Sequence, residues 1–275
     1  MPADILHADH SPRFASVFAW YLRRKLAGAF HTVRITHGSR AALGALEQHP
    51  GAAMVLFTHS AWWDPLMGLY ITRTLIPSRR VLAPMDVRQL RRFPFFRKLG
   101  LFGIDPDNPA SLAAMCGYVS DEFARVPRSL IALTPQGTFA DPRAPIVLRP
   151  GAAALGARFA TRNLRVAVVA AEYVFWTDQK PELLIAAELI AAPSMRGDSA
   201  HPPTITDLHR TYTHAMRACA SRLAASVIAR DEAAFEIVLG AANGAARVNP
   251  AYDLWQRLRG RGESIPPSGQ REPVA

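Results

Sequence analysis

A chain of 275 residues is long enough for one large domain with a full core or for two small ones. Hydrophobic residues make up 49% and charged residues 20%, which excludes a disordered polymer and points to an ordered globular class. The formal net charge of +10 favours an anionic partner, whether nucleic acid, an anionic membrane face or an anionic substrate, unless it reflects arginine-rich composition in general.

The start of the chain, with Asp4, His7, Asp9 and His10, lacks the order of a signal peptide. No stretch of about 18 residues is free of charge, so no transmembrane helix is expected. Cys116 and Cys219 have no metal-binding spacing and read as reduced core thiols, which favours a cytoplasmic location.

Residues 13–30 carry apolar positions at helical spacing around Arg23, Arg24 and Lys25. The segment reads as an amphipathic helix in a membrane interface or, equally, as a surface helix packed on the domain. Residues 52–58 form an apolar run expected as a buried strand. Asp64, as N-cap, and Pro65 then open a helix to Ile76. A short strand is predicted over 79–83, a helix over 109–125, a strand over 130–134 and a helix over 150–161. Residues 164–175 and 181–189 are apolar enough for two late strands.

From Thr204 to Leu239 the Ala-rich pattern predicts a helix, and the Gly-, Pro- and charge-rich tail beyond Arg257 predicts disorder. Strands alternating with helices imply a single α/β domain with a mixed, largely parallel sheet covered by helices on both faces. The expected division is 1–30 as a membrane-associating segment, 31–258 as the main domain and 259–275 as a disordered tail.

The most informative segment is Thr58-His59-Ser60-Ala61-Trp62-Trp63-Asp64. A histidine ends an apolar strand and an aspartate opens the next helix, at the strand ends where α/β proteins place their sites. A carboxylate beside a histidine fixes its tautomer and makes it a general base. Taken alone, Asp64-Pro65 is also an ordinary helix start. The second segment is Thr134-Pro135-Gln136-Gly137-Thr138, which again follows an apolar strand. Gly137 permits a tight turn close to a ligand, although P-x-G is also common turn chemistry.

Together these segments resemble the lysophospholipid acyltransferase family. Its His-x4-Asp block is matched by His59 and Asp64, and its Pro-Glu-Gly-Thr block by Pro135-Gln136-Gly137-Thr138. Its Gly-Ile-Asp-Arg-like block is matched by Gly103-Ile104-Asp105-Pro106, and a fourth, apolar block by residues 166–171. The ordered set covers about residues 32–189. The resemblance implies O-acyl transfer, with His59 as general base, Asp64 orienting it, and an acyl-CoA or acyl carrier protein as donor; no other cofactor or metal is implied. Expected walls of the substrate site are Ser60, Trp62, Trp63, Gly103, Asp105, Gln136, Gly137, Thr138 and Arg149, with Arg143 and Arg149 near the donor.

The sequence departs from the family where phosphorylated acceptors are held. Pro106 stands for an arginine and Gln136 for a glutamate. Proline offers neither charge nor backbone donor, and glutamine has no charge. A neutral sugar or terpenoid hydroxyl is therefore expected as acceptor. The flavour of the His59–Asp64 block, similar to that of members acylating glycosylated carotenoids, points the same way. Arg88, Arg91, Arg92, Arg97 and Lys98 are candidate replacements for the missing arginine, which would favour a 1-acyl-glycerol-3-phosphate acyltransferase instead.

Residues 89–98 interleave cations with Phe93, Phe95 and Phe96, as a lipid-gripping or phosphate-binding segment would, or as a solvated basic helix with phenylalanines in the core. No nucleic-acid-binding module accompanies it, so nucleic acid is not expected as a partner. The remaining histidines have no metal-binding spacing. The competing reading is a catalytically silent lipid- or membrane-binding protein. The expected location is the cytoplasmic membrane face, bound peripherally.

Overall fold

The computed structural model describes residues 5–176, 178–191, 201–240 and 258–259. Helix α1 (Pro12–Ala29) leads into β1 (Thr32–Thr36), α2 (His37–Gln48), β2 (Ala53–Phe57) and α3 (Asp64–Leu75). Strand β3 (Arg80–Asp86), the short α4 (Val87–Arg92), a 3-10 turn over Pro94–Leu99 and β4 (Leu101–Ile104) follow. Then come α5 (Pro109–Arg125), β5 (Ser129–Leu133), α6 (Gly151–Phe159), β6 (Arg165–Val174), β7 (Glu182–Leu189), α7 (Ile205–Ile228) and β8 (Phe235–Gly240).

One sheet of eight strands runs in the order β4-β3-β5-β2-β6-β7-β1-β8. The five strands from β4 to β6 are mutually parallel, so their carboxyl ends share one edge. The β6–β7 and β1–β8 pairings are antiparallel, which makes the sheet mixed. This is the single α/β domain expected from the alternating pattern.

Both faces of the sheet are apolar and both are covered. Met54 and Leu56 of β2 face α5, α6 and α7. Ala53, Val55 and Phe57 face α1, α2 and α3. A strand buried on both sides reads as a continuous apolar run, which is why β2 was recognisable.

Helix α1 packs on the domain through Ala15, Leu22 and Leu26, while Val17, Trp20 and Tyr21 face solvent. The edge strand β4 is covered by the segment before α1. Leu6 bridges to Gly103, and a Cβ at Gly103 would come within 2.9 Å of Leu6 Cβ. Covering that edge removes a free row of backbone groups.

Several elements differ from expectation. The polar stretch 31–51, for which no element was predicted, forms β1 and α2. Arg34 in β1 is buried because Glu182 lies 2.7 Å from its Nε. The late helix ends at Ile228 rather than Leu239, and Phe235–Gly240 pairs with β1. Arg230 takes a positive φ of 51° and the Asp231 carboxylate accepts from Ala233 N–H, so the chain turns there. The tail expected to be disordered lies outside the described residues, apart from Leu258 and Arg259.

Candidate active site

The pocketed edge of the sheet is built around the end of β2. Thr58 N–H donates to Val169 O at 2.9 Å, and Ala171 N–H donates to Thr58 Oγ1 at 3.2 Å, so β2 and β6 stay in register to the edge. His59 follows. Its backbone N–H donates to Gln136 Oε1 at 2.9 Å, and its carbonyl accepts from Ala140 N–H at 2.8 Å. The loop after β5 is thereby stitched to His59 on both sides. Gln136, expected in the substrate site, positions the histidine backbone.

Asp64 is the first residue of α3, not the residue before it, and Trp63 holds the cap position. Its carboxylate reaches back across the turn. Oδ2 accepts from Ser60 N–H at 2.5 Å, from Ala61 N–H at 2.8 Å and from His59 Nδ1 at 3.1 Å. Oδ1 accepts from the Tyr173 hydroxyl at 2.5 Å. The carboxylate has 0% exposure and the imidazole 16%.

Burying a carboxylate is costly unless its oxygens are filled with donors, and here they are. The positive end of the α3 dipole adds to this. With a carboxylate on Nδ1, that nitrogen carries the hydrogen and Nε2 remains the basic one. Burial, and then the negative charge of Asp64, push the Tyr173 phenol well above its ordinary range, so it remains a donor.

His59 lines a narrow pocket of about 20 Å3. Thr58, Ser60 and Gln136 stand beside it. Asp141, Pro142 and Ile146, Ala170 to Glu172 of β6, and Ala220 and Leu223 of α7 complete the lining. Among the described residues neither lysine nor arginine lines this pocket. Asp141 is engaged by Arg143 at 2.7 Å, which holds its carboxyl below the usual range. Burial raises the Glu172 carboxyl. The Phe139 ring lies 4.3 Å from the His59 ring, centroid to centroid, and is mostly exposed.

The other expected site residues divide. Ser60 lines the pocket, and its buried hydroxyl has no partner among the described residues. Trp62 is exposed and Trp63 packs edge-on against Phe30 at 5.1 Å, so neither lines the pocket. Gly103 serves the close approach of Leu6. Asp105 shapes the entry to α5, with its N–H on Ser111 Oγ and its carboxylate accepting from Asp107 N–H.

Gly137 and Thr138 lie on the exposed turn beyond Gln136. Gly137 has φ 73°, and the Arg149 side chain packs over it. Arg149 Nη1 donates to Pro106 O at 3.2 Å and its N–H donates to Pro135 O at 2.8 Å, tying the Pro106 loop to the Pro135 turn outside the pocket. The basic residues 88–98 do not line the pocket either. Arg88 bonds Asp86, and Arg97 Nε donates to His7 O.

Sequence reasoning missed Tyr173, Phe139, Glu172 and the α7 wall. Tyr173 and Glu172 had a signal, since they end an apolar strand as His59 does. The α7 contacts had none, because their partner strand is distant in sequence.

No protein-family model matches the chain, and no curated protein matches it. Among the described residues no helix is long and apolar enough to cross a membrane. No cluster of three or more His, Cys, Asp or Glu that would hold a metal ion occurs among them.

Proposed function

We propose that this chain is an O-acyltransferase similar to the lysophospholipid acyltransferases, moving an acyl group from a CoA or carrier-protein thioester to a neutral hydroxyl. The observation that carries the reading is the His59–Asp64 pair, with a wholly buried carboxylate holding the imidazole of a pocket-lining histidine. In the proposed reaction His59 Nε2 takes the proton of the acceptor hydroxyl. The oxygen attacks the thioester carbonyl carbon. The tetrahedral adduct collapses with loss of the C–S bond, and the imidazolium returns its proton to the departing thiolate. Asp64 orients the imidazole and stabilises the imidazolium through its bond to Nδ1. No Gly-x-Ser-x-Gly elbow surrounds Ser60, so a covalent acyl-serine is not part of the reading.

A neutral acceptor, on a sugar or terpenoid, is favoured over a phosphorylated one because Glu172 lines the pocket unpaired and no lysine or arginine lines it among the described residues. Robust turnover of lysophosphatidic acid would refute this choice and restore the 1-acyl-glycerol-3-phosphate reading.

A peripheral place on a cytoplasmic membrane face is part of the proposal. Val17, Trp20, Tyr21, Phe93 and Phe95 are exposed. Phe14 and Phe18 of α1 lie 6.5 and 6.4 Å from Phe95. Cations accompany these rings, with Arg24 over Trp20, Lys98 over Phe14 and Arg92 over Phe93. Exposed aromatics ringed by cations suit an anionic lipid surface.

His59→Ala is the test. Ester formation from an acyl-thioester, followed by chromatography, is expected to fall at least about a hundredfold while the circular dichroism spectrum is unchanged. Undiminished transfer by the variant would remove the assignment. A wild-type protein that binds vesicles but transfers nothing would favour the silent lipid-binding reading.

A further inference from the structure

We infer that Glu172 reads the acceptor: its carboxylate takes hydrogen bonds from the hydroxyls of a neutral, sugar-like head group and rejects a phosphomonoester. The inference rests on the acyl-transfer reading and deepens it.

The position of Glu172 follows from strand geometry. β6 lies next to β2, and the Ala171–Thr58 bond holds the two chain ends side by side. Adjacent strands lie about 4.8 Å apart, so Glu172 and His59 leave neighbouring strands at the same edge. Successive side chains point to opposite faces. Tyr173 therefore turns to the α3 side and reaches Asp64, while Glu172 turns to the α7 side and into the pocket. One dipeptide serves the base from one face and the pocket from the other.

The chemistry of the pocket leaves this carboxylate unanswered. No described residue donates a hydrogen bond to it or sets a cation beside it, and burial alone perturbs it. Asp141, the other carboxylate of the lining, already has Arg143. The walls near Glu172 are otherwise apolar, namely Ile146, Ala170, Ala220 and Leu223.

A partly desolvated carboxylate without donors costs free energy. A head group carrying several hydroxyls supplies the donors, and bonds to an ionised acceptor are the strong kind. A phosphate is largely dianionic at neutral pH, offers few donors, and would face the unpaired Glu172 carboxylate, Asp141 being already matched by Arg143.

The test compares binding of octyl glucoside and octyl phosphate, each below its micellar concentration, to the full chain by calorimetry. Glu172→Gln keeps shape and removes the charge. Glu172→Lys reverses the charge, and thermal melts by circular dichroism show which variants are folded. Wild type is expected to prefer the glucoside. Glu172→Gln should lose about tenfold of that preference, and Glu172→Lys should invert it.

An unchanged glucoside-to-phosphate ratio in a folded variant overturns the inference, as does a wild type that prefers the phosphate or binds neither probe. Acyl transfer to both probes is measured in parallel. Transfer with a ratio indifferent to position 172 sinks the inference alone. A Glu172-dependent ratio without transfer from any thioester sinks the acyltransferase reading alone.

Discussion

Replacing Tyr173 with Phe removes one oxygen and tests the support of the base directly. In the wild type the phenol fills Asp64 Oδ1 at 2.5 Å, while the other three donors crowd onto Oδ2. The carboxylate is wholly buried, so water does not readily take the phenol's place. A hydrogen bond to a buried charge contributes about 1.5–3 kcal/mol. A loss of about 2 kcal/mol in a domain of this size lowers Tm by roughly 4–8 °C.

Asp64 keeps its bond to His59, so the dyad survives but gains freedom to tilt. The proposed acyl transfer should fall in kcat by about tenfold, with KM little changed, because positioning and not binding is lost. Differential scanning calorimetry and steady-state ester formation measure the two effects. A variant with wild-type Tm and wild-type kcat would refute the claim that the phenol holds the carboxylate.

Three further outcomes are expected. Gly137→Ala places a Cβ 2.5 Å from Arg149 Nε at a positive φ, so urea denaturation should show a loss of about 1–2 kcal/mol, part of it recovered by adding Arg149→Ala. Trp20→Glu puts a charge on the exposed face of α1, and co-sedimentation with phosphatidylglycerol vesicles should drop several-fold without a change in Tm. Burial raises the Glu172 carboxyl, so the stability linked to it is fully present below the unfolded carboxyl pKa and is lost as pH rises through the higher folded value. Glu172→Gln should therefore melt above the wild type at neutral pH, with the gap closing below about pH 4; a constant gap would count against the burial of an unpaired charge.

The elements that were legible in the sequence are those whose signal is local. The continuous apolar run of β2, the Asp64-Pro65 start of α3 and the long apolar strands β6 and β7 each announce themselves within a few residues. Strands β1 and β8 do not. Thr32–Thr36 carries an arginine that is tolerable because Glu182, which opens β7, and Glu232 both pair with it. Phe235–Gly240 follows an Ala-rich helix and becomes a strand because β1, about 200 positions earlier, offers its edge.

The same division runs through the site. By itself the sequence determined the candidate base, its carboxylate and the turn that flanks them, because a histidine at a strand end and an aspartate at a helix start are fixed by short-range rules. Tertiary structure alone decided that Tyr173 completes the carboxylate's donors, that Gln136 grips the His59 backbone, that Trp63 belongs to the core, and that Glu172 stands in the pocket. Those outcomes depend on which strands lie side by side and which face each residue takes. Both are settled by the packing of the whole sheet between its two helical layers.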